Sequence, residues 1–240
     1  MKKYNKLFFT LAMGAALMGG TTSCDDFEEI NISPSVAGEE VVKPYYALNN
    51  SIIGAQQSPH EAERIAVYNW ASAARISGEN STFLSNGRYS DSYNHDYHNS
   101  YISNWIKNAT LAITLADEKA ADLVSEHDIN FNKNVKAFAR IWRVVMISEY
   151  TDNFGPYPIE AFQGSNPAFN SVQEVYYFML DELKAAVADI VLSEEPTADE
   201  AKSDPIFGYN AEKWAKYGNS LRLRLAMRLS EVDGAKAKSE

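Results

Sequence analysis

Runs of apolar residues at helical spacing, several opened by capping signatures, constrain this 240-residue chain more than any other feature. Ser58-Pro59-His60-Glu61 combines an N-cap, a proline at the first helical position and a capping-box glutamate. Ala62, Ile65, Ala66, Ala73 and Ile76 follow at helical spacing, so the pattern predicts a helix over 59–76. Phe131, Val135, Phe138, Trp142 and Val145 mark a second, expected to end before the breaker-rich DNFGPYP at 152–158. Ser171-x-x-Glu174 is another capping box, ahead of Val175, Met179, Leu183, Ala186, Val187 and Ile190 on one face. Asn210 caps a last long helix through Trp214, Tyr217, Leu221, Leu225 and Leu229. No alternation of period two competes with these patterns, so the fold is expected to be mainly α. Starts near 131, 171 and 210 are evenly spaced but lack the self-similarity of a sequence repeat. The connections at 77–92, 151–170 and 191–209 are long for a helical bundle, and long loops carry function.

The first residues read as an address. Met1–Lys6 holds three lysines, Leu7–Gly20 is uncharged and mostly apolar, and Thr21, Thr22 and Ser23 lead to Cys24. This is the order of a secretory signal peptide over 1–23, too short and glycine-broken to span a bilayer. Cys24, the only cysteine, stands where the cut would fall and resembles the acylated cysteine of a bacterial lipobox, although Thr21 replaces the usual leucine. Several acyl chains would hold such a protein durably to a membrane. The following CDDFEE resembles the surface-export signal of Bacteroidota lipoproteins. The organisation expected is a signal peptide (1–23), a lipid-anchored segment (24–58) and a helical domain (59–240).

Composition excludes several classes. One cysteine rules out a disulfide framework and a cysteine zinc site, and no cofactor is implied. Lys plus Arg is 22 against 32 for Asp plus Glu, a formal charge of −10 that argues against nucleic acid. Loss of residues 1–23 removes three lysines and no acids, making the remainder more acidic. Paired carboxylates, nucleophile elbows, phosphate loops and HExxH spacing are not found in a convincing context, which leaves catalysis without a motif. His95 and His98 are i, i+3 and near Asp91, but read better as surface donors than as a metal site.

Tyr89, Tyr93, Tyr97, Tyr101 and Trp105 stand four apart. In an α-helix each step of four advances about 40° and four steps about 160°, so both ends cannot share one core seam. Tyr97, Tyr101 and Trp105 are expected in the core, and Tyr89 and Tyr93 exposed or in the loop. An exposed aromatic face beside planar hydrogen-bonding groups suits a sugar, which has an apolar C–H face and a rim of hydroxyls. Asn80, Asn86, Arg88 and Asp91 would bracket those hydroxyls around Phe83 or Tyr89, with Tyr93 adjoining. The asparagines, serines and glycine of this loop serve equally well as plain turn residues. Arg222, Arg224 and Arg228 are assigned to structural pairing, Arg228 with Glu231 at i, i+3.

The lipobox cysteine, DFEEINISP, DNFGPYPIEAF after a helix, VYYFMLDELKAAV and DPIFGYNAEKWAKYGNSLRLRLAMRLSEVD occur in an order that resembles the SusD/RagB family of surface glycan-binding lipoproteins, in its SusD-like branch. The resemblance spans the mature chain and implies an N-terminal portion, since family members run further. It implies tetratricopeptide-like helix pairs, a lipid-anchored position at the outer-membrane surface, and capture of oligosaccharide without hydrolysis. Delivery to a SusC-like TonB-dependent transporter is implied as well. The acidic surface favours a neutral or basic oligosaccharide over a polyanion. A helical envelope scaffold or adhesin binding only proteins is the alternative, and a secreted carbohydrate-active enzyme the next.

Overall fold

The computed structural model describes residues 42–56, 74, 91–164 and 166–240, apart from the side chains of 91–93. Cys24 and, apart from residue 74, the 59–76 stretch expected to be helical lie outside the described residues. What is described is helical, with no strand among these residues beyond an isolated bridge between Tyr157 and Asn170. The helices fall in the compact unit Lys43–Glu240.

Helix α1 (Pro44–Gly54) was not anticipated. It opens on a proline at the first turn, where the missing N–H costs nothing, and buries Ala47, Leu48, Ser51 and Ile52. Helix α2 (Asp91–Ser100) runs through a π-helical stretch (Tyr101–Ile106) into α3 (Lys107–Lys119). A 3₁₀ turn (Ala120–Asp122) precedes the 29-residue α4 (Glu126–Phe154), capped by the Ser125 hydroxyl accepting from the Asp128 N–H. Helix α4 runs three residues into the expected breaker stretch and stops at Gly155, whose φ of 87° is the left-handed region that glycine tolerates.

Ser171 and Glu174 form the expected capping box of α5 (Val172–Ala188). A one-turn helix, α6 (Ala198–Ala201), has its own box from Thr197 and Glu200. Asn210 accepts from the Lys213 N–H to open α7 (Ala211–Arg228), and Asp233 caps α8 (Gly234–Ser239). Packing follows chain order, α1 on α3, α3 on α4, α4 on α5 and α5 on α7, with little direct contact between α4 and α7. Each helix buries its apolar stripe on its neighbour, the logic of tetratricopeptide-like stacks.

The π-helical stretch explains the tyrosine stripe. Tyr97, Tyr101 and Trp105 are all buried, so the drift expected of a plain α-helix is cancelled between them. An i→i+5 turn takes one more residue than an α turn and rotates the later side chains back toward the same seam. Tyr101 and Trp105 meet edge to face with centroids 4.5 Å apart. The Ser51 hydroxyl donates to the Trp105 carbonyl at 2.6 Å and accepts from the Trp142 indole at 3.0 Å, tying α1, the π stretch and α4 together.

Between α4 and α5, Glu182 accepts two hydrogen bonds from Arg140 at 2.9 and 3.0 Å and one from Arg143 at 2.9 Å. Burial would raise its carboxyl pKa, but the two guanidinium groups hold it below the usual range. At Gly218 on α7, an added Cβ would lie 2.6 Å from Val187 Cγ2 and 3.0 Å from Ile141 Cδ1, so glycine is what lets α7 approach α5 this closely.

Candidate functional site

On α4, Val145, Ser148, Glu149, Asp152 and Asn153 share one face at i, i+3, i+4, i+7 and i+8. On α7, Tyr217, Ser220, Leu221, Arg224, Leu225 and Arg228 do likewise. Helix α5 packs against both and holds them apart. The two faces line a cleft of about 620 Å³, within the size range of small-molecule sites. Val145, Leu221 and Leu225 are buried and give it an apolar floor.

Glu149 is aimed by a relay of hydroxyls. Tyr101 donates to Glu149 Oε2 at 2.7 Å, Tyr97 donates in turn to the Tyr101 oxygen at 3.0 Å, and the Asn153 amide donates to the Tyr97 oxygen at 3.2 Å. The direction follows because a carboxylate only accepts. Burial, reinforced by the Glu149 charge, pushes both phenols well above their ordinary pKa, so they remain protonated donors. The relay occupies Oε2 and leaves Oε1 with no hydrogen bond among the described residues.

Asp152 has neither oxygen to spare. Tyr176 donates to Oδ1 at 2.7 Å and Arg228 pairs with Oδ2. The arginine pairing expected from the sequence is corrected here: Arg228 turns to Asp152 and not to Glu231, because α4 presents a carboxylate across the cleft. Arg222 pairs with Glu240 at 2.5 Å. Arg224, which the sequence reading assigned to structural pairing, has no hydrogen bond or ion pair among the described residues and stands exposed at the cleft rim. Tyr217 feels both open charges: burial raises its pKa first, Glu149 adds to the rise and Arg224 opposes it. A smaller hollow of about 380 Å³, lined by Tyr176, Tyr177 and Val232, lies on the other side of Arg228.

The residues nominated from sequence fall elsewhere. Asn80, Phe83, Asn86, Arg88 and Tyr89 lie outside the described residues. Asp91 and Tyr93 sit in the first turn of α2, with their side chains outside the description. That helix continues to Tyr97 and Tyr101 and so to Glu149. His98 packs edge-on against Tyr150 and Phe154 at 5.5 Å, and burial lowers its pKa. Among the described residues no group of three His, Cys, Asp or Glu is placed to hold a metal, and no helix is long and apolar enough to cross a membrane.

A stack of helices with a polar-rimmed cleft is a helical scaffold of tetratricopeptide-like type. Residues 39–240 match the model of a SusD-like family described as starch-binding and associating with the outer membrane, and the chain belongs to that family. A SusD homologue from Parabacteroides distasonis is similar in structure, with a TM-score of 0.65 and 28% identity over 81% of this chain and 36% of that one. A Bacteroidetes SusD-like protein gives a TM-score of 0.65 and 26% identity over 82% and 36%. A chitin-binding protein shares the fold with a TM-score of 0.69 at 22% identity over 82% and 41%. The chain therefore spans about two fifths or less of these structures. None of the curated proteins matches it.

Proposed function

We propose that the protein captures oligosaccharides at the outer surface of a bacterial outer membrane, anchored through lipid on Cys24, and delivers them to a SusC-like TonB-dependent transporter. The family match over 39–240 carries this reading, since that family is starch-binding and associates with the outer membrane. The sequence supports the anchor through the charged, apolar and small-residue regions that precede Cys24. The segment 80–93, with Asn80, Phe83, Arg88, Tyr89 and, in the first turn of α2, Asp91 and Tyr93, is the saccharide-contacting element in this reading. Binding without cleavage is part of this reading, as the family resemblance implies.

Affinity electrophoresis in gels containing soluble starch, glycogen or a polyuronide tests the reading. Retardation by a neutral glycan, with no reducing ends released on incubation, is expected. Migration unaffected by every glycan would favour a scaffold that binds proteins only, and release of product would favour an enzyme. Metabolic labelling with palmitate addresses the anchor: Cys24→Ser should abolish incorporation, and persistent labelling would overturn lipid attachment at that position.

A further inference from the structure

We propose that the α4–α7 cleft is itself a saccharide subsite, in which an uncharged, hydroxyl-bearing ring bridges Glu149 and Arg224. The inference rests on the glycan-capture reading and adds to it a contact region formed by residues other than those of 80–93.

Among the described residues the cleft presents one carboxylate oxygen and one guanidinium group that take part in no hydrogen bond or ion pair. Glu149 Oε2 is held by Tyr101, which fixes the carboxylate while Oε1 stays open. Across the cleft the Arg224 guanidinium, with its several N–H donors, has no partner among the described residues. The other charged pair of the site, Asp152 and Arg228, is closed on itself with help from Tyr176, so it offers neither Glu149 nor Arg224 a counter-ion. The four charges sum to zero, and the two that remain open have opposite sign and sit on opposite walls.

That arrangement selects a chemical class. A ligand anion would satisfy Arg224 but meet the Glu149 and Asp152 carboxylates, and an ammonium group would meet the reverse conflict with the two arginines. A sugar hydroxyl both donates and accepts, so neighbouring hydroxyls of one ring answer Glu149 and Arg224 together without bringing a charge into the cleft. The apolar floor of Val145, Leu221 and Leu225 then takes the C–H face of the ring. A volume of about 620 Å³ leaves space beyond a single ring. The hollow past Arg228, with Tyr176 and Tyr177 in its wall, lets a longer chain continue beyond the C-terminal end of α7.

Isothermal titration calorimetry on the full chain tests the proposal, with maltotriose and triacetylchitotriose as neutral probes and trigalacturonate as the charged one. At least one neutral probe should bind, with trigalacturonate at least about tenfold weaker. Arg224→Ala and Glu149→Gln should each weaken the neutral probe about tenfold, the loss expected when a charge-assisted hydrogen bond is removed. Thermal melting of both variants separates lost binding from lost folding, and Arg224→Lys, which keeps the charge, should recover part of the affinity. Neutral binding that is unchanged in both variants but lost in the Tyr89→Ala/Tyr93→Ala double variant would overturn the cleft subsite and leave glycan capture standing. Tighter binding of trigalacturonate than of either neutral probe would overturn the selectivity claimed for the cleft. Binding of no probe at all would remove the subsite together with the glycan reading.

Discussion

Two carboxylates, Asp204 and Glu149, show how one chain uses the same chemistry in opposite ways. Asp204 is buried and answered by four donors: the N–H groups of Ile206, Phe207 and Tyr209 at 2.8, 3.4 and 2.7 Å, and the Trp214 indole at 2.8 Å. It folds the 204–210 loop onto the first turn of α7 and holds Gly208 and Tyr209 at φ of 61° and 54°. For tyrosine that left-handed backbone is strained, and the Asp204 bonds offset the strain. Glu149 is held at one oxygen and open at the other, facing a cleft. A closed polar centre builds structure, whereas a half-closed one keeps binding capacity in reserve.

Removing the closed centre is expected to have the largest effect. Asp204→Ala leaves buried N–H groups without acceptors and releases the strained Gly208-Tyr209 turn. Urea denaturation should show a loss of about 3 to 5 kcal/mol, the range reached when a buried network is broken. A loss below about 1 kcal/mol would mean that water or local rearrangement replaces the carboxylate, and the contrast with Glu149 would collapse.

Tyr101→Phe sharpens the comparison from the other side. The hydroxyl accepts from Tyr97 and donates to Glu149, both within the buried relay. Its removal is expected to destabilise by about 1 to 2 kcal/mol. It should also loosen Glu149, so that saccharide affinity falls along with stability. A fall in stability alone would show that the relay serves the core and not the cleft.

His127 is an intermediate case. Its Nδ1 meets Glu194 at 2.5 Å and its Nε2 meets Glu200 at 3.2 Å, joining the first turn of α4 to the loop that carries α6. Burial would lower its pKa, but the two glutamates outweigh burial and raise it. A folded-state pKa above the unfolded value of about 6.5 means that the stabilisation is full below that pH and is lost as pH rises through the folded value. The ring is about a third exposed, so solvent screening keeps the contribution below about 1 kcal/mol. Unfolding free energy of the wild type relative to His127→Gln should therefore be greater at pH 5.5 than at pH 8.5. A difference that does not change with pH would show that the contact is not ionic.

Local signals made the helices legible, while non-local packing hid the cleft. The Ser171 and Glu174 box and the Asn210 cap are short-range chemistry that operates wherever those residues fall, and both are present. Helix α6 has a box of equal quality but is a single turn, too short to show a hydrophobic period. The π-helical stretch has no sequence signature of its own. It arises because Tyr97, Tyr101 and Trp105 all satisfy one core seam. The pairing of Arg228 with Asp152 joins residues 76 positions apart, which spacing along one helix cannot reveal. One clue was present all the same: Arg224 has no acid, and Glu149 no base, at i±3 or i±4, so neither has a local partner.

That absence of local partners leads to the smallest expected effect. Arg224 lies exposed on α7 and makes no ion pair or hydrogen bond among the described residues, so the folded state loses little when it is truncated. Alanine also has the higher helix propensity, which offsets any loss of packing along the arginine stem. Arg224→Ala should shift unfolding free energy by no more than about 0.5 kcal/mol in denaturant titration, in contrast to Asp204→Ala. A larger destabilisation would mean that Arg224 already has a partner in solution, for which Glu149 on the facing wall of the cleft is the candidate. The Arg224→Ala/Glu149→Gln double variant would then show a coupling energy between the two sites, whereas additive effects place both side chains in the open cleft, available to a ligand.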